Sequence, residues 1–257
     1  MQITQYGDVD ELLEKLLAGI KAILGDKLVG FYLYGSLVTG DFDHDISDID
    51  LLAATAEDID EDDAAALERM HNNIAGEYKE WDNRIEVQYL SLAGLETFRT
   101  RATRIGNISP GEPFHIIEAG KDWLMNWYVV REKGVALYGP PPETIIKPIL
   151  KEEFINTVVQ RTKEWRSWIS TTKDSRPAQS YAILTACRAL YTYRNGEQVS
   201  KKQAAAWAAR ELPEWATLIQ NALKWRTEAR YAKETDPEAT FPLAERFVSF
   251  VSDRIGD

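Results

Sequence analysis

The sequence predicts an α+β domain over residues 1–143, a small mixed sheet flanked by helices, followed by an all-α helical bundle over 144–257. Three observations predict it. Short apolar runs rich in β-formers alternate with amphipathic helical stretches in the first part. Only helical spacing recurs in the second. Between them lies Gly139–Glu143, GPPPE, which cannot continue a helix and makes a stiff, extended connection.

The elements follow in order. From Asp8 to Leu24, leucines and isoleucines recur three and four residues apart, and Gly25 is a natural stop, so a helix is expected. Leu28–Tyr34, LVGFYLY, reads as a buried strand closed by Gly35-Ser36. A polar, acidic loop leads to a second strand, Asp48–Ala54. Asp58–Glu77 is expected to be helical, with acids at its start where the helix dipole favours them. Arg84–Leu90 alternates as a third strand. Residues 92–120 show no clear pattern, and Trp123–Lys133 is a short candidate helix. In the second part, Phe154, Val158, Trp165 and Ile169 share one helical face, and Tyr181, Leu184, Arg188 and Tyr191 another. Later helices are expected over Lys201–Glu211, Glu214–Thr227 and Pro242–Ile255, completing a bundle.

Composition narrows the functions. With 257 residues and 44% apolar content, each part can bury a core. A net charge of −11 argues against nucleic acid, whose affinity comes largely from Lys and Arg on phosphates, and favours a small-molecule substrate. No membrane span or signal peptide is read, and the single cysteine, Cys187, fits a reducing compartment. The expectation is a cytoplasmic monomer. Three histidines, His44, His71 and His115, support neither a zinc cluster nor a Ser-His-Asp triad. His71 is expected to be exposed on a polar helix. Trp165, Trp168 and Trp225 read as core. The loop Asp41–Asp45 imitates a calcium loop, but Ile46 stands where glycine is needed and Leu52 where glutamate is needed.

Three pieces carry chemistry: Gly35-Ser36 after a buried strand, Asp48-Ile49-Asp50 opening the next, and Glu86 in a later one. Strand alternation puts Asp48 and Asp50 on one face, about 7 Å apart along the chain. Paired carboxylates call for a cation, and oxygen-only ligands suit Mg²⁺ or Mn²⁺. Glu86 would complete the cluster. Two divalent ions about 3.5–4 Å apart activate an attacking hydroxyl and stabilise a departing pyrophosphate. The Gly-Ser turn offers backbone N–H groups and a hydroxyl to phosphate oxygens. Each piece alone is weak, and a solvated strand entry is the bland reading of the aspartates.

The ordered set Tyr34-Gly35-Ser36 … Ser47-Asp48-Ile49-Asp50-Leu51-Leu52 resembles the signature of polymerase-β-type nucleotidyltransferases. Most of the chain is similar to the aminoglycoside adenylyltransferases that act on streptomycin and spectinomycin. That resemblance implies transfer of AMP from ATP to a hydroxyl, with ATP and Mg²⁺ bound in a cleft between the domains. It gives Asp48 and Asp50 to the metals and Glu86 to metal binding and the catalytic base. It gives Gly35, Ser36, Ser47, Asp122, Arg188 and Lys201 to the nucleotide. Glu86, Phe114, His115 and Asp174 are its acceptor-binding candidates.

Two departures bear on the acceptor. Streptomycin-recognising members carry a tryptophan after the catalytic glutamate, and no tryptophan occurs here between Glu86 and Trp123; Phe114 or His115 is nearest by context. They also carry two aspartates four residues apart, and here only Asp174 matches, with Ala178 at the second place. Spectinomycin is therefore favoured over streptomycin. The competing readings are a regulatory or antitoxin-like binding protein of the same fold with no drug substrate, and a nucleic-acid-tailing enzyme.

Overall fold

The structure, a computed structural model, describes residues 3–228 and 236–256. It divides into two compact units, Met1–Ile149 and Leu150–Asp257.

In the first unit, α1 (Gly7–Leu24) buries Leu12, Leu13, Leu16 and Ile20, and Gly25 at φ 50° ends it. β1 (Leu28–Tyr34) leads through Gly35 into the single turn α2 (Ser36–Thr39). β2 (Ile49–Thr55) precedes α3 (Glu61–Glu77). The α3 helix begins after the first acids of its segment because Asp60 caps it, in a reciprocal capping box with Asp63. β3 (Ile85–Ser91) follows.

The unpatterned stretch 92–120 holds α4 (Leu92–Thr97) and a hairpin of β4 (Thr103–Ser109) and β5 (Glu112–Ala119). Arg104 and Gly106 share a face with Ile108, and Ile105 and Ile117 share one with Asn107 and His115, so neither strand shows a clean apolar–polar alternation. A short turn then leads into α5 (Leu124–Lys133) and β6 (Val135–Tyr138). The third proline of GPPPE starts a one-turn helix, α6 (Pro142–Ile145), its fixed φ suiting the first helical position. Tyr32 Oη donates to Pro140 O at 2.9 Å, Arg131 Nε to Ile146 O at 3.1 Å, and Ile146 is fully buried. These ties hold the proline run within the first unit, which ends at Ile149.

Six strands among the described residues form one mixed sheet, ordered β5-β4-β3-β2-β1-β6. β2 and β3 run parallel, joined by the α3 crossover, and the remaining pairs are antiparallel. One face, with Phe31, Leu33, Leu51, Ala53, Val87 and Tyr89, packs into a core with α1 and α3. His71 belongs to that core. It is 2% exposed and hydrogen-bonded to Tyr89 Oη at 2.7 Å, which corrects the surface position read from its polar helix.

The second unit is helical: α7 (Lys151–Trp168), α8 (Arg176–Asn195), α9 (Lys201–Glu211), α10 (Ala216–Glu228) and α11 (Pro237–Arg254). α8 is the central helix, packing against the other four. It can do so because small and apolar residues (Ala182, Ile183, Leu184, Ala186, Cys187, Leu190) bury most of its circumference. Cys187 is fully buried, which pushes its thiol pKa up and leaves it inert. Phe154, Val158 and Ile169 are core as expected. Trp165 and Trp225 are only half-buried and Trp168 is 39% exposed, against the core reading of all three. No described helix is long and apolar enough to cross a membrane.

Candidate active site

The face of the sheet turned away from α1 and α3 carries the polar residues. Directly paired residues share a face. One row across the sheet is therefore Tyr34, Asp50 and Glu86, and the next is Gln88, Asn107 and His115.

Gly35 is at φ 72°, and a Cβ there would run into the Asp50 carboxylate. Only glycine lets the turn pass so close. The next residue, Ser36, has a buried hydroxyl without a hydrogen-bond partner. Thr39 Oγ1 closes the turn on Gly35 O at 3.1 Å.

The loop into β2 is held from several sides. Ser47 is buried, accepts the Asp43 amide on its Oγ at 3.0 Å, and donates its own amide to Asp43 O at 2.8 Å. Arg84 stacks over Trp81 at 4.3 Å and donates to Ser47 O from Nε (3.0 Å) and Nη2 (2.6 Å), and to His44 O at 2.7 Å. His44 meets Asp8 at 2.7 Å and sits against Tyr6, Phe42 and Trp81. Asp48 is thus delivered by a fixed backbone.

Asp48, Asp50 and Glu86, all half-buried, each present a carboxylate oxygen, and these oxygens lie within 4.8 Å of one another. Three such groups of one charge are mutually repulsive, and the donor set is all hard oxygen. It suits a divalent cation such as Mg²⁺ or Mn²⁺, which fits the cluster chemically. The same charge is felt at Tyr34, whose hydroxyl pKa is pushed well up, by burial first and then by Glu86, Asp50 and Asp48.

The acceptor candidates separate. His115 lies on the polar face, half-exposed, with Nδ1 on Pro113 O at 2.8 Å. Its neighbour Phe114 must point the other way. It stacks on His71 and meets Tyr89 at a tilt, with centroids 6.4 and 5.9 Å away, which corrects its assignment to the acceptor pocket. Asp122 is exposed and accepts the Gly120 amide at 2.9 Å. In the helical unit, Asp174 is exposed ahead of α8, Arg188 is half-buried on α8, and Lys201 opens α9 with its Nζ 4.0 Å from the centre of the Tyr181 ring.

Two features were not read from the sequence. Gln88, fully buried, donates from Nε2 to Glu86 Oε1 at 3.0 Å; its place two residues along the strand from Glu86 was the available signal. The helical unit holds a cavity of about 400 Å³ lined by Arg161, Glu164, Trp165, Trp168, Tyr181 and Thr185. The Thr185 hydroxyl is buried there without a hydrogen-bond partner.

Comparison with known proteins agrees with this geometry. Residues 13–102 match the nucleotidyltransferase domain family, and residues 144–254 match the aminoglycoside adenylyltransferase C-terminal domain family. Among solved structures, a spectinomycin adenyltransferase from Enterococcus faecialis, crystallised with ATP and spectinomycin, superposes with a TM-score of 0.73. It is 18% identical, over 93% of this chain and 99% of that one, so the likeness is one of fold. With both family matches in order along its length, the chain is an enzyme of the nucleotidyltransferase class that resembles the aminoglycoside adenylyltransferases.

Proposed function

We propose that this enzyme transfers AMP from ATP to a hydroxyl of an aminocyclitol or aminoglycoside, with spectinomycin favoured over streptomycin. The observation that carries the reading is the carboxylate cluster of Asp48, Asp50 and Glu86, with oxygens within 4.8 Å, beside the Gly35 turn. A divalent cation held by the three carboxylates would supply charge neutralisation for the triphosphate and for the leaving pyrophosphate. Glu86 is the base: it accepts the proton of the acceptor hydroxyl as that oxygen attacks the α-phosphorus in line. The bond from the α-phosphorus to the bridging oxygen breaks, and pyrophosphate leaves. Gly35 and Ser36 receive phosphate oxygens, the orphan Ser36 hydroxyl being a ready donor. On the family resemblance, Ser47, Asp122, Arg188 and Lys201 serve the nucleotide, and His115 and Asp174 the acceptor.

The spectinomycin preference rests on the missing tryptophan after Glu86 and on Ala178. The test is pyrophosphate release from ATP and Mg²⁺ with spectinomycin or streptomycin. Release with spectinomycin alone is expected. Release with both would overturn the preference, and absence of Mg²⁺-dependent ATP binding would overturn the reading as a whole.

A further inference from the structure

Glu86 is held by a chain of hydrogen bonds that runs in one direction. Asn126 Nδ2 on α5 donates to Tyr34 Oη at 3.4 Å. Tyr34 Oη donates in turn to Gln88 Oε1 at 2.7 Å. Gln88 Nε2 then donates to Glu86 Oε1 at 3.0 Å and to Asn107 Oδ1 at 3.4 Å. Gln88 is fully buried and Tyr34 is 5% exposed, so water does not compete for these groups.

The chain fixes the orientation of the Gln88 amide. Turned over, it would face its oxygen toward the Glu86 carboxylate, lone pair against negative charge. It would also leave the Tyr34 hydroxyl without an acceptor for its proton and Asn107 Oδ1 without its donor. The neutral state of Tyr34 sustains the chain, because a phenolate would have no proton to donate. A carboxylate gripped at one oxygen by a rigid amide is restrained about its terminal torsion, which is otherwise broad.

We infer that Gln88, locked by Tyr34, is a positioning residue that holds the Glu86 carboxylate in the orientation needed to take the acceptor's proton. The inference rests on Glu86 being the base. Gln88 is fully buried behind Glu86 and acts through it, as supporting residues do around many catalytic groups.

Two measurements test it. The first is the ¹H–¹⁵N spectrum of the full-length protein, which requires no acceptor. The Gln88 side-chain amide, assigned by its loss in Gln88→Met, should exchange slowly with solvent and shift in both Glu86→Gln and Tyr34→Phe. Solvent-rate exchange, or no shift in Tyr34→Phe, would overturn the lock. The second is steady-state pyrophosphate release with ATP, Mg²⁺ and spectinomycin. Methionine matches glutamine in length but lacks both polar groups. Gln88→Met should lower kcat about ten- to a hundredfold, the range typical of such supporting contacts, while the KM for ATP stays within about twofold. Wild-type kcat in Gln88→Met with an inactive Glu86→Gln would sink the positioning role alone. Full activity in Glu86→Gln would instead sink the base assignment beneath it. Loss of kcat matched by loss of folded protein on thermal melting would make Gln88 merely structural.

Discussion

At Gly35 a positive φ of 72° coincides with the close approach of the Asp50 carboxylate, so a side chain is excluded twice over. Gly35→Ala is expected to displace Asp50 and lower kcat by about a hundredfold or more, the scale associated with an ångström of misplacement at a catalytic group. Mg²⁺-dependent ATP binding should weaken with it; wild-type turnover in this variant would refute the constraint. Glu86→Gln should keep ATP binding and abolish turnover, checked by equilibrium binding beside pyrophosphate release. These residues were legible because motif and chemistry coincide: a Gly-Ser turn, two aspartates at strand spacing, and a glutamate on a later strand. Gln88 was not, since an uncharged amide in a strand announces nothing until its partners are known. Phe114 and His115 show the other limit. The sequence brought the pair to notice but could not say which one faced the polar side, because their strand was itself unread.

At the scale of elements, the loop 40–48 is held by Arg84 as well as by its own turn bonds. The guanidinium makes paired bonds to Ser47 O and stacks on Trp81, a geometry that lysine cannot reproduce. Arg84→Lys is therefore expected to raise the Mg²⁺ concentration for half-maximal activity about tenfold, with little change in melting temperature; an unchanged Mg²⁺ dependence would remove Arg84 from the site. The α3 cap makes a contrast. Asp60→Ala should cost about 1 kcal/mol of stability in urea unfolding and leave kcat alone, because α3 packs on the opposite face of the sheet from Glu86. Helices and central strands were legible from periodicity and caps. The β4–β5 hairpin was not: its polar-face residues, Asn107 and His115, carry the pattern of a site rather than that of a core. The ties of the proline run through Tyr32 and Arg131 likewise lie outside any local signal.

For the whole molecule, buried His71 couples stability to pH. Burial lowers its pKa from 6.5 to about 4, so the native state holds it neutral where the unfolded chain would protonate it. The unfolded state binds the extra proton below about pH 6.5, and stability should fall as pH drops from there toward 4. The loss is about 3 kcal/mol at the acid end. Urea unfolding at pH 7.5 and 4.5 should show the drop, and His71→Phe should flatten it; an equal drop in both proteins would assign the acid sensitivity elsewhere.

The inert thiol of Cys187 has a practical consequence. It is the one cysteine of the chain, sealed inside α8, and burial raises its pKa. The folded protein should fail to react with a thiol-specific colour reagent over minutes and release one equivalent in denaturant. Rapid reaction without denaturant would show that α8 opens readily. If the thiol stays silent, the natural sequence is already a blank background for site-specific fluorophores. A cysteine introduced at any exposed position would then be the single reactive handle, with no native residue to remove first.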